Sequence, residues 1–341
     1  MNPVQKPLSS PVSDAPRAPA GEIYAALDLG TNNCRLLVAR ANGCAGAGGF
    51  TIIDAFSRIV RLGEGLAASG VLSEGAMTRT IDALKICADR IASNNVSRAR
   101  TIATEACRRA GNGVDFMARV RGETGLELEV ISPEEEARLV VAGCSALLNP
   151  HVPYALVFDI GGGSTELVWL KVPREGGAVE IVDSLSLPHG VVTLADRYGG
   201  RSVSAATYAA MVAEIAAALE TVEARNGIAP LVASGTVQML GSSGTVTTLA
   251  AVHFRLPRYN RRRVDGATLS FDELRRAARY LQGLNHEQRV RNGCIGIERA
   301  DLVVGGCAIL EAICNRWPVG KLRIADRGIR EGILLNLARG A

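Results

Sequence analysis

The feature that most constrains this chain is that it begins twice. Residues 24–40, YAALDLGTNNCRLLVAR, and residues 154–170, YALVFDIGGGSTELVWL, share one pattern of an apolar run, an acid-x-glycine turn and a second apolar run. Alternation on both sides of a small-residue turn reads as a β-hairpin. A third strand is expected near 50–60 after the first hairpin and near 178–187 after the second. Ser73 then opens a helix to about Asn94, with Met77, Ile81, Leu84 and Ile91 along one face. A strand at 99–104, a helix at 112–122, a strand at 127–131 and a helix at 134–148 follow. The second half places its hairpin strands at 154–160 and 164–171 and continues into helices. Three antiparallel strands followed by alternating helices and strands predict an α/β layer, and the repeat predicts two such layers facing across a cleft.

A length of 341 residues suits two domains. Turn residues Asn149, Pro150 and Pro153 mark the expected boundary, giving one domain over 21–149 and another over 150–341. Whether the last helix, RGIREGILLNLARG, crosses back onto the first half is a question of packing. Residues 1–20 hold five prolines and no apolar run, which predicts a disordered tail.

Composition narrows the chemistry. The eight cysteines (34, 44, 87, 107, 144, 294, 307 and 314) form no C-x-x-C pair and several occupy apolar positions, the usage of buried thiols in a reducing, cytoplasmic setting. Four scattered histidines argue against a zinc site, so any metal would be held by oxygen. No apolar stretch approaches the roughly 18 residues that cross a bilayer, so no membrane role is expected. The net charge of +4 predicts no specific nucleic-acid partner, although Arg255, Arg258, Arg261, Arg262 and Arg263 crowd one segment. That run reads equally as a solvated basic loop or as an attractor of polyanions.

The turns carry the chemistry. Gly161, Gly162 and Gly163 can turn several backbone N–H groups toward one anion, with Ser164 and Thr165 adding hydroxyls. Asp159 and Glu166 would repel a bare phosphate, and make sense with a divalent cation between them and the anion, Mg²⁺ first. A glycine triplet alone is an ordinary hairpin. The first turn, however, repeats acid, glycine and polar donors in Asp28, Gly30, Thr31, Asn32 and Asn33, with Arg35 following. A third small-residue turn, Gly241, Ser242, Ser243, Gly244 and Thr245, ends a strand and starts a helix, a phosphate-binding geometry.

With these motifs in hand, the chain resembles the exopolyphosphatase and guanosine pentaphosphate phosphatase family of the actin, sugar kinase and Hsp70 superfamily. The likeness runs from about residue 24 to the end, through LDLGTNNCRLLVA, IATEACRRAGNG, VISPEEEARL, FDIGGGSTELV, GSSGTVTTLAA and GIREGILL. It implies two RNase H-like domains and hydrolysis of a terminal phosphoryl group. It implies Glu136, the last acid of the Glu134–Glu135–Glu136 run that opens a helix after Pro133, as the carboxylate that activates water. It implies Asp28, Asp159 and Glu166 as ligands of Mg²⁺ or Mn²⁺, and Arg108, in the A-T-x-x-x-R-x-A pattern at Ala103 to Ala110, as the group that neutralises charge on the transferred phosphoryl. Arg109 falls on a variable position and is expected to be solvated.

The chain departs from the family pattern in places. Thr31 and Asn33 stand where serines are frequent, and Thr193 where an arginine is common. His189 reads as a local loop residue, and Cys34 and Cys107 as packed thiols. Longer members continue into helical C-terminal domains, and without them strong processivity is not expected. Inorganic polyphosphate is the first substrate and guanosine pentaphosphate the alternative, with no aromatic near GSSGTVTTLAAV to stack a guanine. A kinase or a silent sensor is the remote alternative. A homodimer is the expected assembly.

Overall fold

The computed structural model describes residues 21–42, 49–174 and 177–340. The expected N-terminal tail and Cys44 lie outside the described residues. The strands are β1 (Ile23–Leu29), β2 (Asn33–Ala41), β3 (Phe50–Ile59), β4 (Arg98–Ala103), β5 (Glu129–Val130), β6 (Tyr154–Ile160), β7 (Thr165–Lys171), β8 (Glu180–Leu187), β9 (Val237–Ser242), β10 (Thr268–Ser270) and β11 (Lys321–Ala325). The helices that matter below are α1 (Glu74–Ser93), α2 (Glu105–Arg109), α3 (Gly113–Thr124), α4 (Pro133–Cys144), α5 (Ala205–Asn226), α6 (Gly244–His253), α7 (Phe271–Gly283), α8 (Val303–Arg316) and α9 (Ile329–Arg339).

The first sheet has the order β3-β2-β1-β4-β5 and the second β10-β11-β9-β6-β7-β8. In each, a hairpin pairs antiparallel with a third strand on one side, and parallel strands join through helical crossovers on the other. Two copies of this arrangement make the two-domain, actin-like α/β fold. The repeat extends to single hydrogen bonds. Gly30 N donates to Asn33 O and Gly161 N to Ser164 O, both at 2.9 Å, closing equivalent turns. Helix α1 starts where Ser73 caps it through Ala76 N, and buries Ile81 and Leu84 on the first sheet. The expected strand at 127–131 shrinks to two residues, since only Glu129 and Val130 pair with β4.

The domains are joined by two exchanged helices. Helix α4 of the first domain packs on β7 and β8 of the second sheet, while α9, the last helix, packs on β1, β2 and β4 of the first. The two helices press on each other where neither can carry a side chain. A Cβ on Gly143 would lie 2.0 Å from Gly328 O, and one on Gly332 would lie 2.1 Å from Leu139 O. Ala26, Ile102, Ala137, Val140, Val157, Val168, Ile333 and Leu334 form one buried core across this junction. A second link clasps the opposite side, where Arg61 Nη2 meets Asp301 Oδ1 at 2.9 Å and Gly65 N donates to Asp196 Oδ2 at 3.0 Å.

One expectation needs correction. Helix α5 is long and apolar enough, by length and composition, to cross a membrane. Its Tyr208, Met211, Ile215, Leu219 and Val222 recur at helical spacing and are buried in the core of the second domain, where α5 packs on α8. The seven described cysteines are all buried and unbridged. Cys34 Sγ lies 3.8 Å from Cys87 Sγ, and burial pushes the Cys107 thiol up to about 12, the state of packed rather than reactive thiols.

Candidate active site

Both hairpin turns point into one cavity between the domains. Asp28, Gly30, Thr31, Asn32, Asn33 and Arg35 line it from the first domain, and Asp159, Gly161, Gly162, Gly163, Ser164 and Glu166 from the second. Ser243, Gly244 and Thr245 close it from β9–α6, and Glu136 enters from α4. The glycines serve close approach rather than turn geometry, because Gly161, Gly162 and Gly163 are absent from the residues with positive φ. A Cβ on Gly162 would stand 2.9 Å from Asn32 Cβ, and one on Gly163 would stand 2.7 Å from Thr31 Oγ1. The two turns therefore meet face to face. Among the described residues, the N–H groups of Thr31, Asn32, Gly162 and Gly163 have no protein acceptor, leaving donors for an anion.

The acids are placed by register. Asp28 lies opposite Arg35 in the first hairpin, and Asp159 opposite Glu166 in the second. The first pair is opposite in charge and the second alike, an arrangement that destabilises a sheet. Burial, and then the Asp159 carboxylate, push Glu166 up to about 7, although Ser164 and Ser186 hydroxyls donate to its Oε1 at 2.5 and 3.0 Å. Burial raises Asp159 to about 6 against the pull of Arg35. Asp28 is raised by burial and lowered by Arg35 and Arg330.

Glu136 sits in the first turn of α4, which Pro133 begins and Ser132 caps by accepting from Glu135 N. Its neighbours go elsewhere, as Glu135 pairs with Arg100 and Arg138 at 2.8 Å and Glu134 is tied to Ser132. Glu136 is 6% exposed, and its Oε2 accepts no hydrogen bond. Burial and then repulsion from Glu166 hold its carboxyl well above the usual range, with Arg108 Nη2 at 3.5 Å opposing them.

Some expected residues stand elsewhere. Arg108 does not line the cavity: its Nη2 pairs with Glu105 at 2.8 Å and its Nη1 donates to Ile131 O at 2.6 Å, so it sits behind Glu136 and braces it. Thr165 donates to His189 O at 2.6 Å and fixes the β7–β8 end. Gly241 faces the core, where a Cβ would meet the Phe158 ring at 2.7 Å. Ser242 donates to Arg327 O and lines a side chamber. Ser243 spends its hydroxyl capping α6, accepting from Thr245 N and Val246 N at a φ of 139°, a strained value for a residue with a side chain. Helix α6 thus keeps Gly244 N–H for a ligand. Thr193 is used in a local cap with Gly190, and His189 bonds Glu214 at 2.9 Å, outside the cavity.

Others arrive unannounced. Arg299 lines the main cavity and the side chamber, where burial and the Arg35 charge lower its pKa. Tyr259 and Arg330 line that chamber too. No motif marks Tyr259 or Arg299, which come from loops far along the chain, whereas Arg330 lies within GIREGILL at the start of α9, a motif that does not single it out as a cleft residue. Tyr259 overturns the expectation that no aromatic stands near residues 241–252: its hydroxyl donates to Asp326 at 2.5 Å and it lines the chamber that Ser243 and Thr247 share. The arginine run also divides. Arg261 is held in the chamber wall by Glu331 at 2.7 Å, whereas Arg262 and Arg263 face solvent.

Paired actin-like domains that converge carboxylates and free backbone donors on one interdomain cavity define a phosphate-handling protein of the actin-like superfamily. Comparison with known proteins narrows this. Residues 38–340 match the Ppx/GppA phosphatase family. Exopolyphosphatase 2 of Mycobacterium tuberculosis is 29% identical over 327 residues, covering 92% of this chain and 98% of its own. The crystal structure of the Aquifex aeolicus family member superposes with a TM-score of 0.74 at 28% identity, covering 93% of this chain and 97% of its own. An exopolyphosphatase from Cytophaga hutchinsonii, at 23% identity, shares the fold with a TM-score of 0.82 over 94% of this chain and 99% of its own. The chain belongs to the Ppx/GppA phosphatase family, enzymes that hydrolyse phosphoric anhydrides.

Proposed function

We propose that this enzyme releases orthophosphate from the ends of inorganic polyphosphate. The observation that carries the reading is Glu136, a buried carboxylate with an unbonded oxygen in a cavity walled by unpartnered backbone donors. The terminal phosphoryl group would lie between the two turns, its oxygens on the N–H groups of Thr31, Asn32, Gly162 and Gly163. Glu136 takes a proton from water as its oxygen attacks phosphorus. The anhydride P–O bond then breaks, and the bridging oxygen leaves with the shortened chain. Arg35 and Arg299 offset charge on the transferred group, and Arg108 holds Glu136 in position. Such proton transfer contributes roughly 10²–10⁴ in rate.

Asp28, Asp159 and Glu166 suit a divalent cation, Mg²⁺ or Mn²⁺. Their mutual repulsion is only partly met by Arg35 and Arg330, which leaves a deficit of positive charge in the cavity. Among the described residues no three acids, histidines or cysteines stand close enough to form a ligand set by themselves, so phosphate oxygens and water would complete it. Bound there, the cation supplies charge neutralisation on the phosphate oxygens.

Tyr259 supports a second reading, removal of the terminal phosphate of guanosine pentaphosphate, because it provides a ring in the side chamber. Phosphate release from polyphosphates of defined length, run beside guanosine pentaphosphate, separates the two. Turnover of the nucleotide alone would replace the first reading with the second.

A further inference from the structure

Between residues 255 and 279 the chain carries eight arginines against three acids, more net positive charge than the whole protein. The acids are all engaged: Asp265 with Arg327, Asp272 with Arg275, and Glu273 with its Ser270 cap and, at 3.5 Å, His253. Arg255, Arg258, Arg262, Arg263, Arg276 and Arg279 are exposed, and among the described residues their side chains make no hydrogen bond or ion pair, although the Arg276 charge reaches Glu273 and helps lower its pKa. This is costly to a folded protein unless an anion is met, because like charges repel.

These arginines lead away from the cleft. Tyr259 and Arg261 line the side chamber that opens from the active site. Arg258 follows on the outer surface, and Arg255 and Arg276 then line a separate groove between the end of α6 and α7, with His253, Tyr280 and Asn292. Helix α6 gives the scale. It starts at Gly244 in the active-site cavity and ends at His253 in the groove, ten residues or about 15 Å apart.

We propose that this strip is an exosite for the distal part of a long polyphosphate chain whose terminal group occupies the active site. The proposal rests on the polyphosphate reading above and adds where the rest of the polymer runs. Inorganic polyphosphate fits better than single-stranded nucleic acid, since binding of the latter relies on rows of stacking aromatics and the groove offers only the Tyr280 ring beside His253. The strip raises affinity for chains long enough to leave the chamber, and leaves tripolyphosphate indifferent to it.

The test is a variant that removes the strip and spares the cleft: Arg255→Asn, Arg258→Ser and Arg276→Ser together. Asn is chosen at 255 because the backbone there has φ of 51°, which asparagine tolerates. KM for long-chain polyphosphate should rise about tenfold or more at low salt, and KM and kcat for tripolyphosphate should stay within about twofold. Raising the salt to about 0.5 M should close the gap, and the salt dependence of long-chain binding should lose a slope of about two. Equal effects on both chain lengths, or none, overturn the exosite. If neither substrate is hydrolysed, the functional reading fails on its own. Equilibrium binding of long-chain polyphosphate to Glu136→Gln, with and without the three substitutions, still decides the exosite: undiminished binding removes it. Homopolymeric RNA that binds the strip as tightly as polyphosphate of equal charge would make it a nucleic-acid surface and overturn the proposal.

Discussion

Replacing Glu166 with glutamine should make the metal-free protein more stable, and only at neutral to alkaline pH. Glu166 lies opposite Asp159 across the β6–β7 hairpin, and burial, then the Asp159 carboxylate, push its pKa from 4.5 to about 7. A carboxyl whose folded pKa is raised keeps full stability below its unfolded pKa and loses it as pH rises through the folded value. The loss therefore develops between about pH 4.5 and 7. At about 1.36 kcal/mol per pK unit, this shift has an upper bound of about 3 kcal/mol at pH 8, and water in the cleft reduces it to about 1–3. Glutamine retains an oxygen for the Ser164 and Ser186 hydroxyls, so the substitution removes the charge and keeps the hydrogen bonds. With about 2–4 °C per kcal/mol for a domain of this size, Tm at pH 8 should rise by about 2–12 °C, and at pH 4.5 by about 1 °C or less. Thermal unfolding followed by circular dichroism after exhaustive chelation measures both. Saturating Mg²⁺ should raise the wild-type Tm more than that of the variant, because a ligand of the native state alone stabilises it. An unchanged Tm at pH 8, or the same gain at both pH values, would show that the buried Glu166 charge does not destabilise the fold.

Glu136→Gln should keep the fold and long-chain polyphosphate binding while turnover falls by at least about 10²; near-normal turnover removes Glu136 from the mechanism. Activity should vanish with EDTA and return with Mg²⁺ or Mn²⁺, and full activity in chelated enzyme would end the metal proposal. Gly143→Ala drives a Cβ to 2.0 Å from Gly328 O, so it should part α4 from α9 and cost about 3 kcal/mol or more; urea unfolding with an unchanged midpoint would show that the helices re-pack freely.

The sequence by itself determined the local elements and the active-site turns. Hydrophobic period and turn chemistry are short-range properties, so the two hairpins, α1 with its Ser73 cap, and the Pro133 start of α4 were legible, as was the likeness in six motifs that reaches Glu136. Tertiary structure decided what depends on distant segments meeting. The GIREGILL glycines read as a motif, but only the crossing of α9 over α4 shows that Gly332 exists to let a backbone pass. Arg108 read as the group that neutralises charge on the transferred phosphoryl, and the fold places its guanidinium between Glu105, Ile131 O and Glu136, outside the cavity lining. Tyr259 and Arg299 carry no signal of spacing, and GIREGILL does not by itself mark Arg330 as a cleft residue, since each belongs to a loop or helix start that reaches the cleft only after β9, β11 and their helices have packed. The arginine run was legible as charge. Its division into Arg261, paired with Glu331 inside the chamber, and exposed neighbours outside it follows from side-chain direction, which the fold of the whole second domain sets.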